Sequence, residues 1–258
     1  MTRVEERVAV VTGGGSGIGE AAARQLADRG FGVAVVGRDR GRLARVAEGI
    51  ASTGGHAVAV PADLAGSSAP GQVVAEVLAR FGRLDVVVNN AAFIRTGPLD
   101  DVTAEAFDQH YAVNVRAPLL LVRAALPALR RSPDAAIVNV SSSVGSMVKP
   151  ANMLYGSTKA ALEYLTRAWA YELAGDRVRV NCVAPGPVDT PIHATYSDDL
   201  GATYADLARR VPLQRMGHVD DLAAWICFLV APDTSWTTGN VIHVDGGQVL
   251  GLPVASGG

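Results

Sequence analysis

The sequence predicts one doubly wound α/β domain, a mostly parallel sheet of about seven strands with helices on both faces. Three observations predict it. Short β-branched runs alternate with longer helical stretches along nearly the whole chain. Those runs are apolar at almost every position, which is how strands buried on both faces read. The 258 residues, 49% apolar with a formal net charge of −2, can build one large core, and they contain no internal repeat, low-complexity tract or long linker.

The elements follow in order. Residues 7–12 (RVAVVT) read as the first strand and 18–29 as a helix with its alanines and Leu26 turned inward. A strand at 32–36, a helix at 41–51, a strand at 57–60, a helix at 72–81 and a strand at 84–89 continue the alternation. One long helix is expected over 104–131, then a strand at 136–141, a helix at 154–174 and a strand at 178–183. A helix at 220–230 and a strand at 240–244 complete the set, joined by right-handed crossovers. Within this single domain, 1–258, the stretch 190–213 breaks the rhythm: it is polar, turn-rich and weakly helical, as binding excursions often are.

Composition excludes several classes. There is no basic surplus of the kind nucleic-acid binding requires. Cys182 and Cys227 lie in apolar runs and are expected to pack in the core; two thiols make neither a disulfide framework nor a metal set. The N-terminus carries Glu5 and Glu6 where a signal peptide would be apolar, and the longest apolar run, 222–231, is about half a bilayer span. The expectation is a cytoplasmic protein with no membrane, metal or nucleic-acid partner.

Between the first strand and first helix stands Thr12-Gly13-Gly14-Gly15-Ser16-Gly17-Ile18-Gly19. Glycines let the backbone approach a pyrophosphate, whose charge meets the N–H groups and positive dipole of the helix start. Glycine is also a general turn former, so the position in the first βαβ unit carries the weight. The spacing is T-G-x-x-x-G-x-G, through Gly13, Gly17 and Gly19, and in this it resembles the short-chain dehydrogenase/reductase family.

Tyr155 and Lys159, four residues apart on one helical face, are a weak pair alone, since lysine is usually solvated. A nearby ammonium and an oxidised nicotinamide would make the phenol, ordinarily near pKa ~10, a usable proton-transfer group. Ser141, Ser142 and Ser143 end the preceding strand at its carboxyl edge, where ligands bind in such sheets. The resemblance places the catalytic serine thirteen residues before the tyrosine, at Ser142; Ser141 and Ser143 are the fallbacks. It also implies a proton relay at Asn114, through a water linked to the lysine.

The resemblance spans about residues 5–250 and implies a Rossmann-like fold with further cofactor contacts. These fall at Thr12, Gly13, Gly15, Ser16, Gly17, Ile18 and Gly19, at Asp63 and Leu64 after the third strand, and at Asn89 and Ala91 after the fourth. Pro185, Gly186, Val188 and Thr190 after the sixth strand are to meet the nicotinamide, and Tyr155 and Lys159 its ribose. Ala92 stands where the family usually has glycine.

For the cofactor itself, the acidic position expected of NAD users falls on Gly37, and Arg38 follows it. A guanidinium there suits a 2′-phosphate, so NADP(H) is preferred. NAD(H) stays possible, because Asp39 lies about 20 residues past the glycine turn. The function implied is hydride transfer between nicotinamide and a ketone or secondary alcohol. A dehydratase or epimerase on the same scaffold, or a non-catalytic NADPH-binding regulator, are the alternatives.

The substrate side is expected at Phe93, Val144, Met147, Asn152, Ile192, His193 and Tyr196, with His193 reading as an exposed loop residue before an acid–base group. These suggest a mid-sized, largely uncharged substrate. Leu162, Leu165 and Trp169 form an apolar stripe, and the family's helix pairing implies a homotetramer or dimer.

Overall fold

The computed structural model describes residues 7–191 and 199–253. Its strands are β1 (Val8–Thr12), β2 (Gly32–Gly37), β3 (His56–Pro61), β4 (Val86–Asn89), β5 (Ala136–Val140), β6 (Arg179–Pro185) and β7 (Val241–Val244). They form one sheet in the order β3-β2-β1-β4-β5-β6-β7. Every pairing is parallel. The apolar runs have their explanation here: each residue of β1, β4, β5 and β6 is buried, so there is no wet face to demand alternation.

Successive side chains feed two separate cores. Ala9 and Val11 of β1 pack with Leu26 of α1 (Gly17–Asp28), Leu43 of α2 (Arg40–Ser52) and Ile226 of α8 (Val219–Val230). Val8 and Val10 point the other way, to Val77 of α3 (Ala69–Phe81), Leu121 of α5 (Ala117–Leu129) and Trp169 of α6 (Met153–Leu173). Each fully buried aliphatic side chain contributes roughly 1.5–3 kcal/mol, so these layers hold the strand ends in fixed register. Strand order reverses between β1 and β4, which opens a crevice at their carboxyl ends.

Three expectations change. The helix expected over 104–131 runs over Ala104–Leu129 and carries one wider π turn at Ala112–Arg116, which divides it into α4 (Ala104–Tyr111) and α5. A π turn carries an extra residue and re-aims its side chains, and Asn114 sits in this one. The excursion contains a ten-residue helix, α7 (Leu200–Arg209), started by the Asp199 carboxylate accepting from Ala202 N at 2.9 Å. Leu207 and Val211 anchor it, too few apolar positions to show a periodicity. The stripe on α6 is core: Leu162 and Trp169 are buried, and Leu165 packs beneath them. The stretch Ala104–Leu129 has the length and hydropathy of a membrane span, yet Leu121, Val122, Ala125 and Leu129 are sealed against the sheet.

Candidate active site

At the crevice the chain leaves β1 through a turn that side chains would block. Gly13 has φ +65°, and a Cβ there would lie 2.7 Å from Asn90 Nδ2, which donates to the Thr12 carbonyl at 2.9 Å. A Cβ on Gly19 would run into the Gly13 carbonyl. The Thr12 hydroxyl accepts from Asn90 N at 2.9 Å and Ala91 N at 3.0 Å, fastening the ends of β1 and β4 together. Ser16 precedes α1 without capping it through its side chain, so the first N–H groups of the helix stay available to a ligand.

Two adjoining cavities open there, of about 690 and 370 Å³, sharing Gly13, Ser16, Arg42, Ala91 and Ala92. The larger is lined by Gly15, Arg38, Asp39, Asp63, Leu64 and Phe93; the smaller by Gly17, Ile18, Pro185, Gly186, Val188 and Thr190. Thr12, Gly19 and Asn89 lie behind these walls. The Asn89 amide is turned into the core, donating to Asn139 Oδ1 at 2.8 Å. The cavities, the bare turn and the uncapped helix fit a dinucleotide.

The smaller cavity also receives Ser142, Tyr155 and Lys159. Of the three serines ending β5, Ser141 donates to Glu163 Oε1 at 2.8 Å and Ser143 to Gln248 Oε1 at 2.7 Å. Both are buried, whereas the Ser142 hydroxyl has no protein partner among the described residues and lines the cavity. Lys159, 2% exposed, donates to the Val140 carbonyl at 2.8 Å, and its Nζ lies 5.4 Å from the Tyr155 ring centroid. Burial lowers its pKa to about 8, with nearby Glu163 among the groups opposing the shift.

Asn114 is buried where α4 gives way to α5. Its Oδ1 accepts from Phe93 N at 2.7 Å, and its Nδ2 donates to the Phe93 carbonyl at 2.9 Å and to Thr158 Oγ1 at 3.0 Å. Thr158 in turn donates to the Tyr155 carbonyl at 2.7 Å, so Asn114 ties the loop after β4 to the helix that carries the tyrosine.

On the substrate side Val144 and Asn152 line the smaller cavity. The Phe93 ring packs edge-on against His110 at 4.8 Å and faces the larger cavity, and Met147 lines neither. Ile192, His193 and Tyr196 lie outside the described residues. Sequence reasoning missed Asn90, Arg42, Lys149, Gln248 and Glu163. Glu163 is buried four residues past Lys159 and accepts from Ser141 and, at 3.0 Å, from Ser146, bracing the segment around Ser142. A carboxylate in the apolar phase of a helix was the readable signal for it.

The family profile described as enoyl-(acyl carrier protein) reductase matches residues 13–248. The short-chain dehydrogenase/reductase FrzI of a Cladobotryum species is 39% identical over 251 residues, 95% of this chain and 96% of its own. The chain belongs to the short-chain dehydrogenases/reductases. As a member of that family it is an oxidoreductase acting on a CH–OH or carbonyl group, on a Rossmann-like nucleotide-binding fold. Two solved members are close in shape. A metagenomic blue fluorescent protein in complex with NADPH is 31% identical at a TM-score of 0.87, covering 96% of this chain and 99% of its own. The 3-ketoacyl-(acyl-carrier-protein) reductase of Brucella melitensis, complexed with NADH, is 33% identical at a TM-score of 0.87, covering 95% and 99%.

Proposed function

We propose that this dehydrogenase/reductase uses a nicotinamide cofactor, NADP(H) in preference to NAD(H), to interconvert a ketone and a secondary alcohol, with Ser142, Tyr155, Lys159 and Asn114 as its proton machinery. The observation that carries the reading is the convergence of Ser142, Tyr155 and Lys159 on a cavity adjoining the glycine-turn cavity. The nicotinamide, when bound, supplies or accepts the hydride. Gly13, Ser16, Gly17, Asp63, Leu64, Val188 and Thr190 are the residues to hold the cofactor.

The chain's own part is orientation and proton transfer. Tyr155 gives the proton to the carbonyl oxygen, or takes it from the alcohol. Ser142, with its neighbours tied away, donates a hydrogen bond to that oxygen and fixes its position. The Lys159 ammonium favours the phenolate that forms as the proton leaves. Asn114 fixes the loop and helix between which the substrate sits, and serves the proton relay.

NADP(H) is favoured by charge. Arg38 has no ion pair among the described residues and lines the larger cavity, as does Arg42. The competing Asp39 carboxylate is engaged: it caps α2 by accepting from Arg42 N at 3.0 Å and pairs with Arg42 Nε at 3.3 Å. The NADPH bound by the metagenomic relative and the NADH bound by the Brucella enzyme bracket the choice.

We also propose a homotetramer. Phe107, Leu119, Tyr164 and Tyr171 on α4, α5 and α6 are exposed, more apolar surface than these helices need in isolation. Light scattering should return a four-chain mass, and a monomer would overturn it. The test of the activity is NADPH and NADH oxidation followed by absorbance over a panel of ketones. Cofactor-dependent turnover of at least one ketone is expected; tight cofactor binding with no turnover of any would favour a regulator.

A further inference from the structure

The smaller cavity differs in charge from the largely neutral pocket that the substrate-side residues suggest. Its described lining holds three cations, Arg42, Lys149 and Lys159, and no Asp or Glu. Two have partners: Arg42 pairs with Asp39 at 3.3 Å, and Lys159 donates to the Val140 carbonyl at 2.8 Å. The Lys149 ammonium makes no hydrogen bond or ion pair among the described residues, although the residue is half-buried. An ammonium removed from water without a partner is costly and is retained where something else supplies the counter-charge.

Its surroundings do not supply it. Burial pushes the Lys149 ammonium below its ordinary value; Arg210 adds to that and Asp206 opposes it. The Asp206 carboxylate is itself held by Arg210 at 2.8 Å and Arg209 at 3.6 Å. These three belong to α7 and its end, the excursion that also sends Leu207 into the cavity. Lys149 therefore stands close to the end of α7, six residues before Tyr155. A second donor lines the same cavity. Gln248 Oε1 accepts from Ser143 Oγ at 2.7 Å, which leaves its Nε2 hydrogens without a partner among the described residues.

We infer that the substrate carries an oxyanion, a carboxylate or phosphate, away from its reacting carbon, and that Lys149 with the Gln248 amide recognises it. The inference rests on the reductase reading above and names the substrate class for that site. Lys149 is then a specificity residue: it touches the far end of the substrate and takes no part in the proton transfer.

The experiment compares matched pairs. Acetoacetate, levulinate and the next two longer oxo acids are each assayed beside their methyl esters, and dihydroxyacetone phosphate beside dihydroxyacetone. The expected result is a preference of about tenfold to a hundredfold in kcat/KM for one oxyanion over its neutral partner, the range of a hydrogen bond to a charged group. The carboxylate and phosphate arms separate the two sources. Lys149→Met should reduce the preference to about twofold or less through KM, leaving the neutral partner's turnover nearly unchanged, and Lys149→Arg should retain most of it. A wild-type enzyme without preference, or an unchanged preference in Lys149→Met, overturns the inference.

Binding gives a readout independent of turnover. Calorimetry on the NADPH-saturated enzyme should find hexanoate bound about tenfold more tightly than hexanamide by the wild type and equally by Lys149→Met. Equal binding by the wild type overturns the inference. Failure of the reductase reading would look different: Tyr155→Phe reducing the neutral ketones as fast as the wild type, whatever the charge preference.

Discussion

The two ends of the parallel sheet are built on opposite rules. Where the strands begin, charge is paired. Arg7 contacts Asp134 at 2.8 Å and donates to the Val230 carbonyl at 3.0 Å; Arg179 donates to the Leu229 carbonyl at 2.6 Å. Asp85 accepts from Arg83 through both oxygens at 2.9 Å, from Ser132 at 2.6 Å and from Val8 N at 2.8 Å. Where the strands finish, the side chains of Ser142, Arg38 and Lys149 have no hydrogen-bond or ion-pair partner among the described residues, and the Lys159 ammonium donates to the Val140 carbonyl alone among them. One end pairs its charged groups and fastens the fold. The other turns side chains without such partners toward the cavities, and both rest on the same buried strands.

Substitutions can break this comparison from either side. At the open end, Lys159→Met should lower kcat by about 10²–10⁴-fold, the usual worth of acid–base assistance, with little loss of Tm. Unchanged turnover would remove Lys159 from the machinery. Its pKa near 8 sets the sign of the pH dependence: the ammonium is present below about pH 8 and lost above it. The kcat/KM for the reduced cofactor, which reports groups of the free enzyme, should therefore fall as pH rises through 8. A profile flat from neutral to alkaline pH would contradict that assignment.

At the closed end, Asp85→Ala should act on stability, by about 3 kcal/mol from unpairing Arg83 and the Val8 N–H. For a chain of this size that is roughly a 6–12 °C fall in Tm, while kcat per folded molecule holds. Burial opposes ionisation of Asp85, but the bonds from Arg83, Ser132 and Val8 outweigh it and lower its pKa from 3.8. A lowered carboxylate pKa stabilises above the unfolded value and loses that contribution as pH falls through the folded one. The acid limb of the stability curve, below about pH 4, should thus flatten in Asp85→Asn. An Asp85→Ala variant as stable as the wild type would show that this network does not fasten the fold.

The smallest expected effect sharpens the open end alone. Arg38→Asp should move the NADPH-to-NADH ratio of kcat/KM about tenfold to a hundredfold toward NADH, without changing Tm. A ratio that stays put would return the choice of cofactor to other residues.

The sequence disclosed most of the sheet because its signals are local: a valine run reads as a buried strand without knowledge of its neighbours. The glycine turn was legible for the same reason, whereas the choice of Ser142, thirteen residues before Tyr155, came from the family resemblance. What stayed hidden depends on contacts across the chain. Asn90 matters through the turn at Thr12 and Gly13, about 78 residues away, and Glu163 through Ser141 and Ser146. The π turn around Asn114 has no glycine or proline within Ala112–Arg116 to announce it. Lys149 looked like any surface lysine until the fold put it on a cavity wall. Helix α7 escaped because Leu207 is the one fully buried position along it.

The most direct test takes Tyr155→Phe through two readings on one sample: NADPH binding by fluorescence and turnover of the best ketone by absorbance. Removing the phenolic oxygen should leave the cofactor Kd within about twofold and lower kcat by at least about a hundredfold. A variant that binds NADPH and turns over within about tenfold of the wild type would contradict the assignment of proton transfer to Tyr155.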